Sequence, residues 1–275
     1  MSMEILQDPR VRSVEWRDLL ELNKMEVLVE LFISVPWILA SFFFANMALN
    51  TTGQWAWAWY IPALGSSFMF FLTGLRQVHN AYHYAVGISK QATEWFICIL
   101  SFMMLLSMHA VQFNHLRHHR HCMDEDDVEA MSARMPGWKA MLLGPYFPYM
   151  MHKTALKLGN SHYRFWIFLE LAVTVAWVSA VFFVLDIDIL KYHVIAMAIG
   201  QCFTAFFAVW TVHHGCDRSH FIARTVRNPL KNILTYNMFY HVEHHLYPMV
   251  PTCKLPELAN RLDQAAPELN QMKVF

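Results

Sequence analysis

Three groups of histidine carry the chemistry open to this chain: His79 with His83, His115 with His118 and His119, and His241 with His244 and His245. Residues three or four apart share one face of a helix, so HxxxH presents two imidazoles together and HxxHH presents three. With 16 His in 275 residues, chance supplies an HxxHH about 0.05 times. The chain has two. Eight imidazoles packed together repel if charged and are costly if buried unpaired, unless a metal takes their lone pairs. Neutral imidazole suits Zn, Cu, Fe and Ni. Eight donors are too many for one tetrahedral ion, so two metals sharing one site are expected. His109, His152, His162, His193 and His220 stand alone and read as satisfied core or interface residues.

The elements that must position these groups are membrane helices. Hydrophobic residues make up 56% of the chain and charged ones 15%, against roughly a quarter charged in soluble domains. Twenty-one Lys and Arg balance twenty-one Asp and Glu, so no basic field exists to hold a nucleic-acid backbone. Five Cys without a CxxC pair exclude a zinc ribbon and a disulfide framework. A spanning helix needs about 20 apolar residues, and four stretches qualify: about 27–49, 55–77, 165–185 and 189–212. Short turns make them two hairpins, with Pro36 expected to kink the first. Residues 93–113 are also apolar, but both flanks carry His and positive charge. An interfacial or re-entrant helix, or a tightly packed shallow pair, is therefore expected there rather than a fifth crossing.

Twenty of the 21 Lys and Arg fall in 1–26, 74–92, 114–164 and 213–275, leaving Lys191 alone on the other side. The positive-inside rule then puts both termini and the long loops in the cytoplasm. The charged first 26 residues are not expected to be a signal peptide. An even number of crossings separates the second and third His groups, and the first follows the second span, so all three meet on the cytoplasmic side. The expectation is one all-α integral membrane domain over 1–275, with four transmembrane helices and a cytoplasmic helical cap from 78–164 and 213–275. Its site would open toward the hydrocarbon, where an apolar substrate can reach it. Asn80, Asp217 and Glu243 are candidate partners for the outer ring nitrogens of ligating His. The acidic run 124–127 reads as a solvated loop or helix N-terminus.

HxxxH, HxxHH and HxxHH in this order around membrane hairpins resemble the membrane-bound fatty-acid desaturase and hydroxylase superfamily. The segment from Tyr236 to Pro248, followed by Val250 and Pro251, is especially similar to the family's final histidine box. The resemblance spans roughly residues 30–265. It implies two iron ions held by His79, His83, His115, His118, His119, His241, His244 and His245, O2 as co-substrate, and attack on unactivated C–H bonds. It also implies a further ligand between the second and third boxes, where His213 and His214 stand; His214 is the expected one. Three features depart from many relatives: Asn80 where acyl-lipid desaturases often have Asp, a three-residue gap in the first box, and a short chain. The last resembles small bacterial members, some of them hydroxylases or ketolases, and implies a bacterial inner membrane.

The resemblance thus implies a fatty-acyl desaturase, with a hydroxylase or ketolase of a lipid, terpenoid, carotenoid or aliphatic aldehyde as the alternative. Electrons must come from a separate donor, since the chain has neither a Gly-rich dinucleotide fingerprint nor a Cys set for an iron–sulfur cluster. A ferredoxin-like, rubredoxin-like or membrane haem protein is implied. Other classes fit less well. A membrane haem electron carrier pairs single His from facing helices and has no use for triplets at helix ends. A metalloprotease needs HExxH, and here Glu243 is displaced from that position. A metal transporter would string its ligands along a pathway within the spans.

Overall fold

The structure is a computed structural model that describes residues 4–218, 221–271 and 273–274. Among them the regular structure is helical, with two isolated β-bridges joining Thr225 to Tyr240 and to Lys273. Asn23 opens α1 (Lys24–Phe32) with a reciprocal cap, its side chain accepting from the Met25 and Glu26 amides while the Glu26 carboxylate accepts from Asn23 N. A turn at Ile33–Ser34 leads into α2 (Val35–Asn50). Pro36 lies in its first turn, where a missing N–H leaves nothing unpaired. The aromatic-rich turn at 55–59 reverses the chain into α3 (Tyr60–Tyr82). Ser41 and Ser67 meet at 2.8 Å across this hairpin. Ser67 also meets the Tyr192 hydroxyl of α8 (Asp188–Gln201).

Among the described residues, three helices are long and apolar enough to cross a membrane: Lys24–Asn50, Ala56–Tyr82 and Ser161–Leu185. Two bent pairs raise the number of candidate crossings to as many as five. The first pair is α4 (Lys90–Met104) and α5 (Met108–His121), which turn by 115°. Residues 93–113 therefore do not run as a straight rod. The turn is made by Leu105 in the left-handed region (φ 59°) and by Ser107, whose hydroxyl caps the Ala110 amide. An interruption at this depth leaves backbone donors with no water to meet. Ser101 Oγ accepts from Met108 N, and Glu170 of α7 (Ser161–Ala180) accepts from both serine hydroxyls and from His109 N.

The second bent pair covers the fourth apolar stretch and leaves it a candidate crossing. The stretch 189–212 is not one straight span but α8 followed, after a break between Gln201 and Ala205, by the π-turn Ala205–Trp210 and α9 (Thr211–His213), bent by 44°. The polar residues at the break account for it. Gln201 Nε2 donates to Met104 O, at the end of α4, and Thr204 donates to Gln201 Oε1. Both breaks are thus tied to each other.

Two cores flank the histidines. On the membrane side Phe70, Phe71, Ile97, Leu100, Met104, Met108 and Met197 are buried together. On the cap side Ile5, Val11 and Leu19 of the N-terminal segment pack with Leu246 of α10 (His241–Leu246) and with Leu255, Leu258 and Leu262 of α11 (Leu255–Ala265). Ion pairs Arg261–Asp18 and Lys254–Glu26 close the rim. Leu39, Phe43, Phe183 and Val184 face outward, as lipid-facing side chains do.

Candidate metal centre

Four pieces of chain deliver imidazoles to one point. The last turn of α3 carries His79 and ends at His83. The second half of α5 carries His115, His118 and His119. The break in the fourth hydrophobic stretch aims α9, with His213, at the same place. The six-residue helix α10 is buried throughout and brings His241, His244 and His245.

The inner nitrogens form two neighbouring groups. In one, His115 Nε2 lies 3.1 Å from His83 Nε2, and His119 Nε2 lies 3.1 Å from His115 Nε2 and 2.9 Å from His244 Nε2. In the other, His213 Nε2 lies 3.1 Å from His118 Nε2, 3.0 Å from His241 Nε2 and 3.3 Å from His245 Nε2. His79 packs its ring 3.9 Å from that of His244 and 4.7 Å from that of His115.

The outer nitrogens decide what these contacts are. His213 Nδ1 donates to the carbonyl of Ile222 at 3.0 Å, and a carbonyl only accepts. His118 Nδ1 lies 2.7 Å from Asp127 and His115 Nδ1 2.9 Å from Glu129. A neutral ring with its proton on Nδ1 has only a lone pair on Nε2. His213, which burial lowers to about 3, therefore turns a bare lone pair toward His118, His241 and His245. Protonation satisfies at most one such contact: against the cost of burial, Cys122 and Asp127 hold His118 well above the ordinary histidine pKa, whereas burial, reinforced by the neighbouring rings, holds His241, His244 and His245 well below it. His79 Nε2, also buried, has no hydrogen-bond partner. A set of inward-facing ring nitrogens, most of them neutral lone pairs, with carboxylates and a carbonyl behind them fits metal ions.

Next to the cluster lies an apolar cavity. Leu75, Val78, Val111, Phe147, Met151 and Phe207 line it, while His79, His115, His241 and Glu129 form its polar end. Burial pushes Glu129 up to about 7, against the pull of His118 and with a push from Asp127.

The eight boxed histidines all converge, and one expectation is corrected. His213, not His214, joins the cluster. The helical phase of α9 points His213 inward, whereas His214 follows the last helical residue with its ring stacked on Trp210 at 3.9 Å and its Nδ1 bonded to Trp210 O. Two of the three residues expected behind the clustered rings, Asn80 and Glu243, bond elsewhere. Asn80 links Glu30 on α1 to Thr252. Glu243 accepts from Thr225 and Arg227. The Asp217 amide donates to Phe221 O. The carboxylates that do meet clustered rings, Asp127 and Glu129, sit at and just past the end of the run read as solvated. Asp127 is 2% exposed. No local pattern marks them, since the loop must turn back onto α5 before either faces its ring. Of the lone histidines, His109, His152, His162 and His193 each have hydrogen-bonding or ionic partners away from the cluster. His220 lies outside the described residues.

A family model for fatty acid desaturases matches residues 53–273. Among curated proteins, the chain is 27% identical to a beta-carotene ketolase of Paracoccus sp. (strain N81106 / MBIC 01143) over 165 residues, 55% of this chain and 58% of the ketolase. The match thus spans less than two-thirds of that relative's length.

Proposed function

The chain belongs to the fatty acid desaturase family, and from that premise we propose that it is an O2-dependent di-iron oxidase of unactivated C–H bonds in an aliphatic lipid, acting as a fatty-acyl desaturase. The observation that carries the reading is the meeting of histidine lone pairs beside an apolar cavity. His79, His83, His115, His118, His119, His213, His241, His244 and His245 would hold the metals. When bound, the iron pair supplies the O2-derived oxidant that cleaves C–H bonds. The chain's own residues do the rest. Asp127, Glu129 and the Ile222 carbonyl fix ring orientation and keep the outer protons in place. Leu75, Val78, Val111, Phe147 and Met151 would align an alkyl chain against the histidine end and exclude water from it.

Removing two hydrogens from the substrate gives two of the four electrons that reduce O2 to two waters. The other two, with two protons, must come from a separate donor of the ferredoxin, rubredoxin or membrane-haem kind. The proposed arrangement is a single membrane domain with four crossings, the α4–α5 pair re-entering, and both termini on the cytoplasmic side of a bacterial inner membrane. A second reading, ketolase or hydroxylase, draws on the likeness to the beta-carotene ketolase.

The test is iron per chain in detergent-purified protein and in His118→Ala, followed by mass spectrometry of lipids from expressing cells. About two irons, lost in the variant, together with a lipid two hydrogens lighter, support desaturation. A lipid gaining oxygen supports the second reading. Haem, or folded protein without metal, overturns both.

A further inference from the structure

Cys122 ends the helix that carries the second histidine box, four residues after His118 and therefore on the same face. Its side chain is fully buried, and its sulfur lies 3.9 Å from His118 Nε2. The donor atoms of His118, Cys122, His213 and His245 all lie within 4.8 Å of one another. In a tetrahedral site with metal–nitrogen bonds of about 2.1 Å and a metal–sulfur bond of about 2.3 Å, neighbouring nitrogens stand about 3.4 Å apart and nitrogen and sulfur about 3.6 Å. The separations here, 3.1 and 3.3 Å between nitrogens and 3.9 Å to sulfur, sit close to those edges.

The thiol has little else to do. Its other polar contact is the Ile222 carbonyl at 3.7 Å, and that oxygen already takes the shorter bond from His213 Nδ1. On its far side are apolar residues of the cap core. A buried thiol with three imidazole nitrogens on its open side has the surroundings of a ligand.

We propose that Cys122 is a sulfur donor to the metal subsite formed by His118, His213 and His245. The inference rests on the metal reading above and extends it. It makes the two subsites chemically unequal. His83, His115, His119 and His244 form an all-nitrogen group whose donor atoms also lie within 4.8 Å of one another, while the other group mixes nitrogen with a soft sulfur. On binding, the thiol would lose its proton to solvent and become the thiolate that coordinates. A softer set favours ions such as Zn(II) and Co(II) over hard, oxygen-seeking ones.

The test uses full-length protein, stripped of metal in detergent and reloaded with Co(II). Wild type is expected to bind two ions per chain and to show a near-ultraviolet thiolate-to-cobalt charge-transfer band. Cys122→Ser should lose that band and weaken one of the two ions at least tenfold, while retaining the visible spectrum of the all-nitrogen site. Cys216→Ser, which alters the other buried thiol near the cap, should keep the band. Two ions bound by wild type without the band overturn the sulfur ligand alone. No uptake by wild type overturns the metal reading with it. Should Cys122→Ser fail to fold, a sulfur neighbour at about 2.3 Å in the X-ray absorption spectrum of the cobalt-loaded wild type decides the matter, and its absence refutes the proposal.

Discussion

His109 and His118 stand nine residues apart on α5, both buried without measurable exposure, and they are held in opposite ways. His109 meets Glu170 at 2.6 Å through Nδ1 and Glu94 at 2.9 Å through Nε2, so each ring nitrogen faces a carboxylate. Its face stacks on Trp166 at 4.8 Å. His118 has one carboxylate, on Nδ1, and on Nε2 another histidine, which offers only a lone pair. Burial is equal and helix is shared, so neither explains the difference. What separates a structural histidine from a ligand is whether its inner nitrogen meets a group of opposite character within the protein. At His109 the polypeptide completes the set; among the rings that His118 joins, it leaves inner nitrogens facing one another.

The contrast predicts two distinct kinds of damage. Replacing a ligand, as in His244→Ala, should lower bound iron from about two per chain to below one and abolish product, while the unfolding midpoint of metal-free protein barely moves. Removing one ring from a set of facing lone pairs relieves repulsion as well as leaving a void. Iron content and a thermal melt with and without iron check this together. A metal-free His244→Ala protein that melts far below metal-free wild type would erase the distinction between the two histidine sites.

His109→Ala should do the reverse. It leaves Glu94 and Glu170 facing each other in an apolar region, and stranding one side of a buried ion pair costs about 3–5 kcal/mol. The melt should fall by a similar amount with and without iron, and protein that still folds should keep its iron. Because Glu170 also accepts from Ser101, Ser107 and His109 N at the 115° turn, Glu170→Gln should loosen that turn too. Hydrogen exchange over residues 101–110 would report it. Loss of iron from well-folded His109→Ala would show that the two sites are one.

Asp127→Asn probes the shared feature, a carboxylate behind a ring. Partners of this kind typically govern 10–100-fold in metal affinity, so a competitive chelator titration should show a drop in that range. Stability without metal should change less than in His109→Ala. An unchanged affinity would mean that Asp127 serves the loop, through its bonds to the Met123 and Ala130 amides, rather than the ring.

The same contrast explains what could be read from the chain alone. Spacing on a helix is local, so HxxxH and HxxHH revealed eight converging rings, and charge-poor apolar runs revealed the membrane helices. The breaks were harder to see. Gln201 and Thr204 look like tolerated polar residues inside a span until Gln201 meets Met104 O on another helix. Asp127 and Glu129 belonged to an acidic stretch that resembles any solvated loop. Their role depends on a loop folding back over α5, which no periodicity encodes. His109 read correctly as a partnered core residue, though its two carboxylates lie 15 positions before and 61 after it.

His213 and His214 show how narrow the margin can be. They are adjacent and identical in type, and a span end read from hydropathy is uncertain by more than one residue. The 44° bend in the fourth hydrophobic stretch and the π-turn Ala205–Trp210 shift the phase at which the chain reaches the cap. That shift turns His213 to His118, His241 and His245, and lays His214 flat on Trp210. His214→Ala should therefore cost about 1 kcal/mol, the scale of one ring contact and one hydrogen bond to Trp210 O, and leave iron near two per chain. His213→Ala should lose iron as His244→Ala does. If instead His214→Ala strips the metal while His213→Ala keeps it, the π-turn does not set the phase, and the inner ring belongs one residue further along the chain.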